Sequence, residues 1–263
     1  MLERGVIYLA VNHHSYLEAA LISAVALRAQ DGQIPIIIIS NLPDLNYLPL
    51  ERYAITPRCL EPLIMADSMG LSRWLKTQIN AYSPYDETLF LDADMLPLGN
   101  LSSLWPYLDQ GDIAMATDRM AEIGLCDHVA PEEVQFTLDR LSPHTTHFNS
   151  GVLLWRRTAT TEALFAQWHQ EWQRFRRHDQ LALARAIDRT QTAVVQLPHH
   201  YNLSPRDAEP RIKRGEPIHL LHCWGGKVLS GRFKKLAQRF CPEAVSAVAD
   251  VFAHALEPER LTR

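Results

Sequence analysis

Seven short apolar runs punctuate this chain: "VIYLAV" (6–11), "IPIIIIS" (34–40), "TLFLD" (88–92), "DIAMAT" (112–117), "GVLLW" (151–155), "TAVVQL" (192–197) and "PIHLLHC" (217–223). Several are apolar continuously instead of at alternate positions, and strands of that kind must be covered on both faces. Helical patterns fall between them. Ser15 with Glu18 makes a capping-box pattern, and Leu17, Leu21, Ala24 and Leu27 follow it as an apolar stripe. A second stripe joins Leu71, Leu75, Ile79 and Tyr82, and a third runs through Leu164, Trp168 and Trp172 within 160–175. Continuous apolar strands alternating with such helices imply an α/β fold, a mainly parallel sheet flanked by helices.

The 263 residues suffice for one large domain of this kind or for two small ones, with no internal repeat. The expected organisation is one domain over 1–230 and a helical tail over 231–263 packed on it, its helices near Phe233–Phe240 and Ala244–Leu256. The stretch after about residue 205 reads as irregular. The longest apolar run, Ile34 to Ile39 around Pro35, is far short of a membrane span, and the N-terminus shows no secretory cleavage pattern. A soluble chain is expected. Its four cysteines form no CxxC pair, which suits a reducing compartment, so the cytoplasm is the expected location. A net charge of −4 gives no reason to expect nucleic acid as a partner.

The run "TLFLD" ends in Asp92, and Asp94 follows one residue later. Ligands of parallel α/β sheets bind beyond the carboxyl ends of the strands. Along an extended backbone, positions i and i+2 point the same way, so both carboxylates can face one ligand while Ala93 faces away. Two anions that close repel one another, and a cation relieves them. Oxygen ligands suit Mg²⁺ or Mn²⁺, which usually keep places for water and substrate phosphates. A phosphatase of the HAD type also carries an Asp-x-Asp after a strand. There the pair lies near the N-terminus with a later acidic pair, and this chain has no Asp-Asp dipeptide, so that reading is a remote alternative.

Four further stretches follow in order: "HFNSGVLLWRR" (147–157), "RHDQLALARAI" (177–187), "LPHHYNL" (197–203) and "HLLHCWGGK" (219–227). With the acidic pair, this succession resembles the family 8 glycosyltransferases of the GT-A (Rossmann-like) fold, which include glycogenin-like and bacterial lipopolysaccharide enzymes. The resemblance covers about residues 6–227. It implies that Asp92, Asp94 and His222 hold a metal, Mn²⁺ or Mg²⁺, and that the donor is a nucleotide sugar, with a UDP-hexose expected. On the same grounds Lys76 and Lys227 meet the donor phosphates, with Gly225 allowing close backbone approach. Ala10, Asn12 and Tyr16 correspond to the turn that holds the base, although the usual acidic pair is here Asn12-His13-His14. Asp118 and Ser150 correspond to donor-sugar contacts, and Asn149, Asp179 and Gln180 to the catalytic positions. An Asp preceding "LALARAI" is equally an expected helix N-cap, worth about 1 kcal/mol. Lys227 stands one residue closer to His222 than the family spacing, and Val-Leu replaces the Pro-Trp expected after it.

The implied activity is metal-dependent transfer of a hexose to an acceptor hydroxyl with retention of configuration. Gln180 would steady the oxocarbenium-like state in a front-face displacement, and covalent attack by Asp179 is the alternative route. The acceptor implied is a glycan, a lipid-linked glycan, a small molecule or a protein. A non-catalytic nucleotide-sugar binder is the alternative function. The basic tail, with Phe233, Leu236 and Phe240, reads as a packed helix, with weak contact to an anionic membrane surface as its alternative.

Overall fold

Six of the seven apolar runs form strands of a seven-stranded, mostly parallel sheet, the α/β architecture their alternation with helices implied; its remaining strand is Ile55–Cys59, and "PIHLLHC" supplies a strand of a separate two-stranded sheet. The structure, a computed structural model, describes residues 2–61 and 68–255, so Leu256 lies outside the described residues. In chain order the elements are β1 (Arg4–Leu9), α1 (His14–Gln30), β2 (Ile36–Ser40), β3 (Ile55–Cys59), α2 (Ser68–Lys76), β4 (Glu87–Asp92), β5 (Met95–Pro97) and β6 (Ile113–Glu122). There follow α3 (Pro131–Leu138), β7 (Thr146–Arg156), α4 (Ala159–Trp172), α5 (Gln180–Thr190), β8 (Val195–Leu197), α6 (Pro205–Lys213), β9 (Leu220–His222), α7 (Arg232–Phe240) and α8 (Pro242–Ala255). The sheet order is β3-β2-β1-β4-β7-β6-β8, and β5 and β9 form a two-stranded sheet of their own. The chain divides into two compact units, one of Met1–Arg4, Met65–Phe90 and Leu104–His199, the other of Gly5–Ile64, Leu91–Ser103 and His200–Arg263.

In the second of these units, Val6 to Leu9 pair in parallel register with Ile36 to Ile39, and β2 pairs likewise with β3. Ile38 and Ile39 are wholly buried, each stabilising the fold by about 1.5–3 kcal/mol. The stripe expected on α1 is only part of its buried surface, because every residue from Ala19 to Leu27 is buried. The tail helices α7 and α8 and strand β5 pack on α1, and a helix apolar all round is one covered all round. The capping box does not form. His13 is the N-cap, its Nδ1 accepting the Ser15 N–H at 3.1 Å, so Ser15 already lies in the first turn. Glu18 instead pairs with Lys234 at 2.7 Å. The stretch after 205 is not irregular but helical: Ser204 accepts the Asp207 N–H at 3.1 Å and Pro205 opens α6. A second tail cation, Arg239, pairs with Glu209 at 3.2 Å, although exposed pairs of this kind are worth at most about 1 kcal/mol. No helix among the described residues is long and apolar enough to cross a membrane.

In the first unit, β7 pairs antiparallel with β6 and β8 pairs parallel with it. Both β6 and β7 extend past their apolar runs, through "DRMAE" and "THFNS", with register irregularities around Thr117. Such irregularities re-aim side chains, and Asp118 sits on this segment. The helix expected over 71–82 stops at Lys76 and resumes as a 3-10 turn at Ile79–Tyr82. Thr77 Oγ1 and the Gln78 amide both donate to the Trp74 carbonyl, at 3.2 and 3.0 Å, and such side-chain competition interrupts a helix. Helix α5 packs on α4 and on β7, which brings its N-terminus to the polar end of β7.

Candidate active site

Asp92 closes β4, Ala93 and Asp94 form a turn, and β5 begins at Met95. Strand alternation therefore does not align the two carboxylates, as the sequence pattern suggested; the turn does. Antiparallel pairing of β5 with β9 sets Met95 opposite His222, and the Cys223 N–H donates to the Asp94 carbonyl at 2.9 Å. His222 Nε2 consequently lies 3.3 Å from Asp94 Oδ1 and 3.8 Å from Asp92 Oδ2. One ligand atom from each of the three residues lies within 4.8 Å of the others. On its other side, His222 Nδ1 is 2.8 Å from Asn202 Oδ1. His222 Nε2 thus faces two carboxylates, an arrangement a divalent cation satisfies. The donor set of two carboxylates and one imidazole fits Mn²⁺, and Mg²⁺ less well. Burial first, and the Asp94 charge second, push the adjacent Cys223 thiol up to about 12, so it stays neutral.

The glycine turn after β9 bends through Gly225 and Gly226, both at positive φ of 76° and 73°, a conformation that favours glycine. Lys227 turns back on this segment, its ammonium donating to the Trp224 carbonyl at 2.6 Å. The turn between β1 and α1 is held by hydrogen bonds of its own. Ala10 is buried, and its N–H donates to Ile39. Asn12 adopts φ of 73°, its N–H donating to Asn41 Oδ1 at 2.8 Å, and the Asn41 amide donates back to Asn12 Oδ1 at 3.3 Å. Tyr16 is half-buried on the first turn of α1.

Within the first unit, Asp118 is a hub. Its Oδ2 accepts from the amides of Asn149 and Gln180, each at 2.9 Å, and its Oδ1 accepts the Met120 N–H at 3.0 Å. Burial by itself would raise the Asp118 carboxyl; the bonds from Asn149, Met120 and Gln180 outweigh it and hold the group below its ordinary value. Gln180 also donates to His147 Nε2 at 3.3 Å, while His147 Nδ1 donates to the Met120 carbonyl at 3.1 Å. Burial pushes the His147 imidazole down, against the pull of Asp118, and favours its neutral form.

The neighbouring pair, Ser150 and Asp179, meets directly: the Ser150 hydroxyl donates to Asp179 Oδ2 at 2.6 Å. Lys76 Nζ stands 3.8 Å from that oxygen and Arg73 Nε 4.0 Å from Oδ1. Asp179 is the N-cap residue of α5, yet its side chain makes no cap bond. Lys76 is likewise no solvated surface lysine, being buried and lying over the Phe90 ring at 5.5 Å. Burial raises Asp179, but Lys76, then Arg73, then Ser150 bring it below the usual carboxylate range. A depressed carboxyl stabilises the fold above its unfolded value and loses that contribution as the pH falls through the folded one. Asp179→Asn should therefore lower the thermal midpoint at neutral pH, with the difference closing as the pH drops below about 3.9. Thermal melts across the acid range check this; a constant difference would contradict it.

Sequence reasoning named Asp118, Asn149, Ser150, Asp179, Gln180 and Lys76, and the first unit brings these together. In the second, Asp92, Asp94 and His222 converge, with Gly225 and Lys227 on the turn after β9. Arg73 and His147 went unremarked, although Arg73 is one helical turn before Lys76 and His147 opens the "HFNSG" run.

A family model, "Glycosyl transferase family 8", matches residues 66–227. No curated protein matches. Among solved structures, galactosyltransferase LgtC in complex with donor and acceptor sugar analogs superposes with a TM-score of 0.60 at 15 % identity, covering 90 % of this chain and 96 % of that one. Mouse xyloside xylosyltransferase 1 in its apo form gives 0.55 at 13 % identity over 84 % and 97 % of the two chains. The glycosyltransferase GlyE of Streptococcus pneumoniae gives 0.55 at 17 % identity, over 84 % of this chain and 55 % of that one. At these identities the likeness establishes the fold, the GT-A architecture.

Proposed function

Because the chain belongs to glycosyltransferase family 8 and is thus a glycosyltransferase, we propose that it moves a hexose from UDP-hexose to an acceptor hydroxyl, with a divalent metal and with retention of anomeric configuration. The observation that carries this reading is the convergence of the Asp92 and Asp94 carboxylates with His222 Nε2. Mn²⁺ held there would act as a Lewis acid on the donor diphosphate.

The chain's own residues divide the remaining work. Gly225 admits the diphosphate close to the backbone, and Lys227 adds a charge to it by leaving the Trp224 carbonyl. Lys76 is the second phosphate cation, and Ala10, Asn12 and Tyr16 receive the base. Asp118, kept ionised by its amide partners, accepts hydrogen bonds from the sugar hydroxyls, and Ser150 borders it. Asn149 and Gln180 orient the sugar and stabilise developing positive charge at its anomeric carbon, a reading their bonds to Asp118 support. The ion pairing of Asp179 with Lys76 and Arg73 supports a positioning role over covalent attack, because a carboxylate so neutralised is a poor nucleophile. Front-face displacement, with the departing phosphate taking the acceptor's proton, is the mechanism consistent with that pairing.

The acceptor is a glycan, a lipid-linked glycan or a small molecule. The non-catalytic binder and the phosphatase are not favoured. A panel of nucleotide sugars scored by thermal shift with and without Mn²⁺ tests the donor assignment: a ligand that binds only the folded state at about a hundredfold above its Kd stabilises by about 2.7 kcal/mol. UDP-hexoses should raise the midpoint only with Mn²⁺ present. A GDP-sugar or ADP-sugar doing so instead would overturn the UDP assignment.

A further inference from the structure

Asn202 lies 20 residues from His222 in sequence, yet the chain holds it beside β9 by three backbone bonds. The His219 N–H donates to the His200 carbonyl at 3.0 Å, the Leu203 N–H to Leu220 at 3.1 Å, and the His222 N–H to Leu203 at 2.8 Å. The segment 200–203 thus runs alongside 219–222, with Leu203 bridged in parallel to Leu221. Tyr201, next to Asn202, is buried and its hydroxyl is 2.7 Å from Ser103 Oγ. Both Asn202 and His222 are buried, so neither can exchange its partner for water at low cost.

We propose that Asn202 is a positioning residue that holds His222 as the Nδ1–H tautomer and so aims the Nε2 lone pair at Asp92 and Asp94. An imidazole facing two carboxylates would otherwise turn a proton toward them, because Nε2–H is the tautomer their charge favours. The amide oxygen of Asn202, 2.8 Å from Nδ1, opposes that preference by accepting the proton on the far side. It keeps the Nε2 electron pair available to a metal before any metal arrives. A ligating histidine whose other nitrogen donates to a fixed acceptor is the general device for this, and loss of such an acceptor costs about 10–100-fold in metal affinity. The inference takes its purpose from the metal reading above, but the tautomer can be tested without metal.

The test uses the full chain, metal-free, with ¹⁵N-labelled histidine in mildly alkaline buffer, where long-range ¹H–¹⁵N correlation reports which ring nitrogen carries the proton. The His222 signal is identified by its loss in His222→Gln. Wild type should show Nδ1–H. Asn202→Leu should convert it to Nε2–H and weaken Mn²⁺ binding, measured calorimetrically, by about 10–100-fold. Asn202→Asp, which keeps an acceptor, should restore both. A merely structural role for Asn202 would move neither the tautomer nor its rescue by Asp. If the leucine variant does not fold, the wild-type and aspartate spectra decide. An Nε2–H imidazole in the wild type, or Nδ1–H retained in Asn202→Leu, would overturn the proposal. An Nδ1–H imidazole in wild-type protein that takes up no Mn²⁺ would support the orientation and overturn the metal assignment instead.

Discussion

Asp94→Asn should reduce metal-dependent turnover by about a thousandfold while leaving the chain folded. Asparagine keeps the size and one acceptor oxygen of Asp94 but removes the charge that a cation at this place needs. Lewis-acid stabilisation of a leaving group is worth several kcal/mol, and each 1.36 kcal/mol is a tenfold change in rate. Asp92→Asn should behave alike, since Asp92 Oδ2 and Asp94 Oδ1 flank the same His222 Nε2. Stability should move the other way. Removing one of two like charges relieves their repulsion, so the metal-free variant should melt no lower than wild type. Steady-state release of UDP, with Mn²⁺ titrated calorimetrically in parallel, separates the two effects. Full turnover in either variant would remove the metal from the account.

The second large effect falls on stability. Arg185, on α5, is buried between Glu133 of α3 and Glu171 of α4, at 3.1 Å from each, and donates to Thr137 Oγ1 at 2.7 Å. Removing one partner of a buried ion pair leaves an uncompensated charge and costs about 3–5 kcal/mol. Arg185→Met should therefore lose about that much, measured by urea denaturation. Its pH dependence identifies the cause. Burial already raises the Glu133 carboxyl, with Arg185 opposing it, so without the arginine Glu133 rises further. A carboxyl raised in the folded state costs nothing below its unfolded value of about 4.3 and progressively more as the pH climbs through the folded one. The deficit should accordingly shrink toward acid, and Glu133→Gln in the same chain should recover part of it. A loss below about 0.5 kcal/mol would be that of an ordinary surface substitution and would contradict this reading. The network matters to the site because α5 begins at Gln180, with Asp179 as its N-cap.

The strands were legible wherever burial on both faces left an unbroken apolar run, as in β1, β2 and β4. They were not legible where partnered polar residues extend a strand: β7 begins at Thr146, five residues before "GVLLW", because pairing with β6 and internal hydrogen bonds carry Thr146 to Ser150 into the sheet. Local rules misled at Ser15, where the capping pattern matched but His13 holds the extended cap backbone. The opposite happened at Ser204-Pro205, an N-cap with proline at the first helical position that marks α6 clearly and was passed over. In the site, Asp92 and Asp94 stood out because paired charge after an apolar strand is costly. His222 became legible only through the order of motifs, and its relation to Asn202 did not, since it depends on backbone pairing between segments 20 residues apart. Asp179 looked like a cap by position; only the geometry reveals that its carboxylate serves Ser150, Lys76 and Arg73.

The most direct measurement is the release of UDP from UDP-glucose and UDP-galactose by the purified full chain without acceptor, with Mn²⁺ and with chelator, and with Asp94→Asn alongside. The expected result is slow hydrolysis that requires Mn²⁺ and is lost in the variant, since water can substitute for the acceptor hydroxyl. Mn²⁺-dependent binding of these donors without any release of UDP would contradict catalysis, and release that persists equally in chelator and in Asp94→Asn would contradict the role given to Asp92, Asp94 and His222.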